Sequence, residues 1–336
     1  MMLKIIDTEA WSDRYRKAAI QPADRRLLVT NFHGTEQEGD LSEPANCNGF
    51  GRVRHFRLGS GETWVRNPLP IEPARRALSV GDETQVRAQV FQNAVCNWRC
   101  WYCFVPFSLL NANPRYSSWL SPSELLDLYQ ADPAPPPMID LSGGQPDLTP
   151  EWVPWMMEEM NNRGLTDKVY LWSDDNLSND YFWKYLSDAD RERIKNYKNY
   201  GRVGCFKGID QEAFSFNTGA DPALFNFQFE LFLRFLELRL DLFAYVTFTT
   251  PNSEDLEGKV HAFVDHLQDL HPLLPLRTIP LEILPFTPVQ SRLKEEYHAA
   301  IKNQYAVLKL WRTQLEKRFS RDTLGKSICD IQLRPI

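Results

Sequence analysis

The chain has 336 residues, 43% of them hydrophobic and 24% charged, with a net charge of −6. This is an ordinary globular composition, long enough for one large α/β domain with an extension or for two small domains. It argues against a general polyanion binder and carries no clear nucleic-acid signature, and five charges within residues 224–246 (Glu230, Arg234, Glu237, Arg239 and Asp241) exclude a membrane span from the most apolar stretch.

The N-terminal residues show neither an apolar signal region nor a small-residue cleavage site, so the cytoplasm is the expected compartment. Residues 1–80 lack helical period and are rich in turn formers, and read as an N-terminal extension with a few short strands. Their basic run, Arg52, Arg54, His55 and Arg57, is either a solvated strand face or a contact for a phosphate or carboxylate on a substrate.

From residue 85 a regular alternation begins. Strands are expected at 85–91, 138–141, 169–172, 202–206, 242–248 and 279–284. Helices are expected from Ser121 (with Pro122 and Glu124 completing an N-terminal signature), at 150–163, 179–197, 222–240 and 255–270, and in one long run at about 289–319. Residues 133–137 read as a stiff proline-rich loop. Six strand–helix units imply a mainly parallel sheet, either a curved, open partial barrel or a flat doubly wound sheet. In both, the site lies at the carboxyl ends of the strands. The unusual loops all fall there, which divides the chain into an extension (1–80), a core (81–290) and a C-terminal helix and tail (291–336).

The first of these loops holds Cys96, Cys100 and Cys103, three of six cysteines within eight residues. Such crowding points to metal or redox chemistry rather than a disulfide scaffold. Three thiolates on a four-iron cluster leave one iron open, which marks a catalytic site. Structural zinc is the alternative; it needs a fourth ligand, with Cys47 and Cys205 as candidates, and no second close pair is present. A second cluster is not expected from Cys47, Cys205 and Cys329. The next loop, Ser142-Gly143-Gly144-Gln145-Pro146, is a strand-to-helix turn on bland grounds, Asp174-Asp175-Asn176 a helix cap, and Lys207 a surface lysine. Trp98 and Trp101 could shield a cluster from water.

The C-x3-C-x2-C run, with Tyr102 before its last cysteine, resembles the signature of the radical S-adenosylmethionine (SAM) superfamily, over roughly residues 85–290. The resemblance implies a partial (β/α)6 TIM-like barrel and one 4Fe–4S cluster on Cys96, Cys100 and Cys103. It implies SAM contacts from Tyr102, from Gly143, Gly144, Gln145 and Pro146 (where the family usually has Glu for Gln145), from Ser173 and Asn176 near the ribose, and from Lys207. It also implies a one-electron donor of flavodoxin or ferredoxin type, and a 5′-deoxyadenosyl radical that takes hydrogen from a substrate. No C-terminal cysteine-rich extension is present, which favours a small molecule or nucleoside over a peptide as that substrate. The rival readings are an electron-relay module without SAM chemistry and a structural zinc protein.

Overall fold

The computed structural model describes residues 5–59, 64–79 and 84–333, so the expected boundary at 80/81 lies outside the described residues. Along the chain run α1 (Thr8–Ala19), β1 (Ile20–Gln21), β2 (Arg26–Thr30), β3 (Gly51–Arg57), α2 (Ile71–Leu78), β4 (Gln85–Phe91), β5 (Ser117–Leu120) and α3 (Pro122–Gln130). Then come β6 (Met138–Leu141), α4 (Trp152–Asn162), β7 (Tyr170–Asp175), α5 (Tyr181–Tyr185), α6 (Asp188–Asn196), β8 (Tyr200–Phe206), α7 (Gln211–Thr218) and α8 (Leu224–Glu237). The chain ends with β9 (Leu242–Thr247), α9 (Leu256–Leu270), β10 (Thr278–Leu281), α10 (Thr287–Gln290), α11 (Glu295–Arg318) and α12 (Arg321–Leu324). Among the described residues no helix is long and apolar enough to cross a membrane.

The main sheet has seven strands in the order β10-β9-β8-β7-β6-β4-β3. The six from β4 onward are parallel, and the sheet curls into a half-barrel rather than a flat doubly wound sheet. A small antiparallel sheet, β1-β2-β5, stands beside it. Helices cover the convex face, where Phe91, Leu141 and Phe206 pack against Trp152, Phe232 and Trp311. The concave face has an apolar floor of Phe56, Met138, Tyr170, Trp172 and Phe243, closed by Ile71 and Ala74 of α2 and by Ile328 and Cys329.

Four expectations need correction. The N-terminal segment, expected to hold a few short strands without helical period, also contains α1 and α2, and its β3 pairs antiparallel with β4 of the main sheet along its whole length. The helix expected at 179–197 is two helices, because Leu186 is extended and Ser187 with Asp190 forms a capping box that starts α6 afresh. The long C-terminal helix begins only at Glu295, after the short α10 with Pro288 in its first turn. β7 runs on through Asp175, so Ser173, Asp174 and Asp175 are strand residues that alternate between the two faces. The Ser121–Glu124 capping box with Pro122 forms as the sequence indicates.

Candidate functional site

The cysteine loop follows β4 and is held by protein contacts on every side. Arg99 donates to the carbonyls of Cys96 (2.6 Å), Trp98 (2.8 Å) and Leu110 (3.2 Å), and to the Tyr15 hydroxyl. Arg292 donates to the carbonyls of Trp101 (3.3 Å) and Cys103 (2.7 Å). These two guanidiniums take up carbonyls that the non-repetitive backbone leaves unpaired. From α1, the Thr8 hydroxyl accepts from Trp98 Nε1 (3.0 Å) and the Ser12 hydroxyl from Asn97 Nδ2 (2.9 Å). Trp98 is buried against Phe214, and Trp101 stacks on Tyr297 of α11 at 4.5 Å. The N-terminal and C-terminal segments thus both clamp the loop.

Burial pushes the Cys100 thiol up to about 12, with Cys103 and Cys96 adding to the rise and Lys207 opposing it. Burial also raises Cys96 and Cys103, and Lys207 again opposes. Cys100 feels Cys103 and Cys96, Cys103 feels Cys96, and all three, one buried and two half-buried, face one space in the field of one lysine. As the side chains stand, no group of three or more His, Cys, Asp or Glu is placed to hold a metal ion among the described residues. The donor set around this space is thiol only, the soft set that iron–sulfur clusters take.

The Gly143–Pro146 turn leaves β6 directly beside this loop. Gln145 N donates to the Val95 carbonyl (2.8 Å), next to Cys96. Both glycines have positive φ, +80° and +63°. A Cβ on Gly144 would fall 2.4 Å from the Val95 carbonyl oxygen and 2.5 Å from that of Asn93; on Gly143 it would meet only the movable Gln92 side chain, at 2.6 Å. Glycine at 144 therefore serves close backbone approach as well as φ. Gly144→Ala is expected to cost about 1–3 kcal/mol from backbone strain alone, and more than Gly143→Ala, in urea unfolding of the two variants.

Gln145 is buried and fully occupied. Its Nε2 donates to Asp175 Oδ1 (2.7 Å), and its Oε1 accepts from Asn176 N (3.0 Å). Asp175 also pairs with Arg202 (2.8 Å), which pairs in turn with Asp147; all three are buried. Asn176 Nδ2 donates to Asn97 Oδ1 (3.1 Å) and lies 3.9 Å from Cys96 Sγ. One network thus runs from β8 through the glycine turn to the cysteine loop. Sequence reasoning missed Asp147, Arg202 and the role of Asp175; the Asp174-Asp175 pair was the only signal, and it reads equally as a helix cap.

Lys207, after β8, and Tyr102 share the space of the thiols, and the Tyr102 hydroxyl meets Thr247 Oγ1 at 3.2 Å. Burial works to lower Lys207, while Cys205, Tyr102, Cys100 and Cys103 raise it, and the net shift is upward. Cys205 is the buried strand residue expected, facing the concave side. Ser173 is not brought to this place: its hydroxyl bonds to the Tyr200 hydroxyl (2.7 Å) toward the helices. Its neighbour Asp174 faces the concave side, accepting from Ser142 Oγ (2.5 Å) and Trp172 Nε1 (3.0 Å). In the basic run the strand alternation separates Arg52 and Arg54, on the concave side with Phe56, from His55 and Arg57.

No family model and no curated protein matches the chain. Among solved structures it is similar to SuiB of Streptococcus suis. The structure of SuiB bound to S-adenosylmethionine matches with a TM-score of 0.44 at 15% identity, over 66% of this chain and 46% of SuiB. That of SuiB bound to the precursor peptide SuiA matches with a TM-score of 0.38 at 14% identity, over 54% of this chain and 36% of SuiB. In these matches the chain spans less than half the length of SuiB. A curled half-barrel with a cysteine loop and a glycine turn on one rim is the architecture that the resemblance to the radical SAM superfamily implies, and it is the architecture this chain has.

Proposed function

We propose that the chain is a radical SAM enzyme. In this reading Cys96, Cys100 and Cys103 hold one 4Fe–4S cluster, and the Gly143–Pro146 turn receives SAM together with Tyr102, Asn176 and Lys207. The observation that carries the reading is the joining of two features on one rim: three neighbouring thiols of one loop, one buried and two half-buried, and a glycine turn hydrogen-bonded to the residue before the first of them. When bound, the cluster supplies the electron that cleaves SAM to a 5′-deoxyadenosyl radical, which takes a hydrogen atom from the substrate.

The chain's own residues prepare the place. Arg99 and Arg292 fix the loop through its carbonyls. Trp98 and Trp101 fill the space behind it and keep water out. The positive-φ glycines bring backbone close enough for a ligand amine to lie on it. Gln145 spends its side chain on Asp175 and Asn176, so the turn meets a ligand through its main chain, as the family contact requires. Ser173 is left out of this reading, since its hydroxyl bonds to that of Tyr200. A one-electron donor of flavodoxin or ferredoxin type is the partner such chemistry needs.

The charge of Lys207 beside the thiols favours electrons on a cluster held there. Lys207→Met is expected to move the cluster's midpoint potential to more negative values in an EPR-monitored redox titration, with iron content unchanged. The reading itself is tested by metal and sulfide analysis after anaerobic purification. About four irons per chain with matching sulfide supports it; one zinc without sulfide supports the structural alternative and sinks it.

A further inference from the structure

The concave face holds a second set of unspent polar groups, apart from those assigned to the cluster and SAM. Arg52 on β3, Val90 on β4 and Asp140 on β6 lie on one rung of the sheet, so Arg52 and Asp140 point to the same side. Arg52 is 7% exposed and Asp140 1% exposed. Arg52 Nε and Nη2 make no hydrogen bond, and neither does Asp140 Oδ1. No ion pair joins them, although each lies in the other's field, with Asp174 and Arg54 close by. The Arg52 guanidinium stands 5.4 Å from the ring centre of Phe104, the residue after Cys103. Below this layer lies the apolar floor of Met138, Tyr170 and Trp172.

Buried polar groups without partners are costly, and a buried charge more so. Where donors and an acceptor are left unpaired together on one face, near the cysteine loop, a ligand is the natural completion. Nε and Nη2 form one edge of the guanidinium, whose spacing matches the two oxygens of a carboxylate. Asp140 Oδ1 asks for a hydrogen-bond donor. The four side chains Arg52, Arg54, Asp140 and Asp174 are formally two cations and two anions, so a dianionic phosphate would add repulsion from the aspartates, whereas a carboxylate with a neighbouring donor would not.

We infer that this face is the substrate's seat, and that it takes a small molecule bearing a carboxylate with an amine or hydroxyl beside it: Arg52 grips the carboxylate and Asp140 the donor. The inference rests on the radical SAM reading for the reaction, but the binding site stands on its own geometry. SAM also carries a carboxylate and an amine, so the test must separate the two sources.

The experiment is ligand-observed NMR on the anaerobically reconstituted protein, first titrated with SAM and then, with SAM saturating, with glycine, propionate and inorganic phosphate as probes. Glycine should bind in the presence of SAM and better than propionate, which lacks the donor. Arg52→Gln and Asp140→Asn should each weaken glycine roughly tenfold or more and leave the SAM titration unchanged. The thermal midpoint of Arg52→Gln should hold or rise, since an unpaired buried charge is removed. Failure of wild type to bind glycine, preference for phosphate, or displacement of glycine by SAM each overturns the inference. If SAM does not bind at all, the radical SAM reading fails, and the glycine titration without SAM still decides whether Arg52 and Asp140 form a site.

Discussion

Cys100→Ala is expected to abolish iron binding and every SAM-dependent reaction while the fold survives. Both halves of that expectation come from the loop. Two thiols cannot hold a four-iron cluster open at a single iron, so the loss of one ligand removes the group rather than weakening it. The loop does not depend on the group for its shape. Arg99 and Arg292 take up five of its carbonyls between Cys96 and Val105, Trp101 N donates to the Asn217 carbonyl, and Cys96 N to that of Leu110. Far-UV circular dichroism and the urea midpoint of the metal-free protein should therefore match those of metal-free wild type, while iron and sulfide analysis falls to background. Because ligation needs thiolates and burial raises these thiols, iron loading of wild type should also release protons, measurable in a weakly buffered solution.

The second large effect concerns Gln145. A glutamate there would set a carboxylate against Asp175 Oδ1, where an amide now donates at 2.7 Å. One of the two acids would have to stay protonated or turn away, and Asn176 N and the glycine turn would lose their anchor. Gln145→Glu is expected to cost about 1–3 kcal/mol, the usual penalty for a mispaired buried polar group, and to weaken SAM binding. Asp175→Ala is expected to cost more, on the order of 3–5 kcal/mol, because it strips Arg202 of one of two buried partners and leaves Gln145 Nε2 and Leu177 N without an acceptor. The double change Gln145→Glu with Asp175→Asn moves the carboxylate across the pair and should recover part of the loss, since the 145–175 hydrogen bond re-forms while Leu177 N and Arg202 still lose a carboxylate partner. Urea unfolding and SAM titration of wild type, Gln145→Glu, Asp175→Asn and the double variant form a double-mutant cycle; strict additivity would show that the two side chains do not act together.

The parallel half-barrel was legible because strand and helix periods alternate cleanly from Gln85 onward, and because β4, β6 and β9 begin where their apolar runs begin. Cys96, Cys100 and Cys103 were legible because spacing along a loop is local information. What was hidden is long-range. β3 pairs through backbone across the interval from Arg57 to Gln85, and its Arg-rich surface gave no apolar alternation to announce a sheet strand. α1 is polar along much of its length and finds its place through Thr8 and Ser12 against the cysteine loop. The break at Leu186 was hidden because Leu is itself a good helix former, and the capping box at Ser187 decides it. Arg202 and Asp147 are far apart in sequence and meet only when β8 is laid beside β7. The replacement of the family's usual Glu by Gln145 looked like a departure from pattern; Asp175 supplies its physical reason.

The central claim is that the three thiols would hold a cluster whose electron, once it is reduced, cleaves SAM seated on the glycine turn. Anaerobically reconstituted protein should be incubated with SAM and dithionite, and 5′-deoxyadenosine followed by mass spectrometry. Accumulation with wild type and none with Cys100→Ala is the predicted result. A cluster-loaded wild type that yields no 5′-deoxyadenosine, or a Cys100→Ala protein that yields as much, contradicts it.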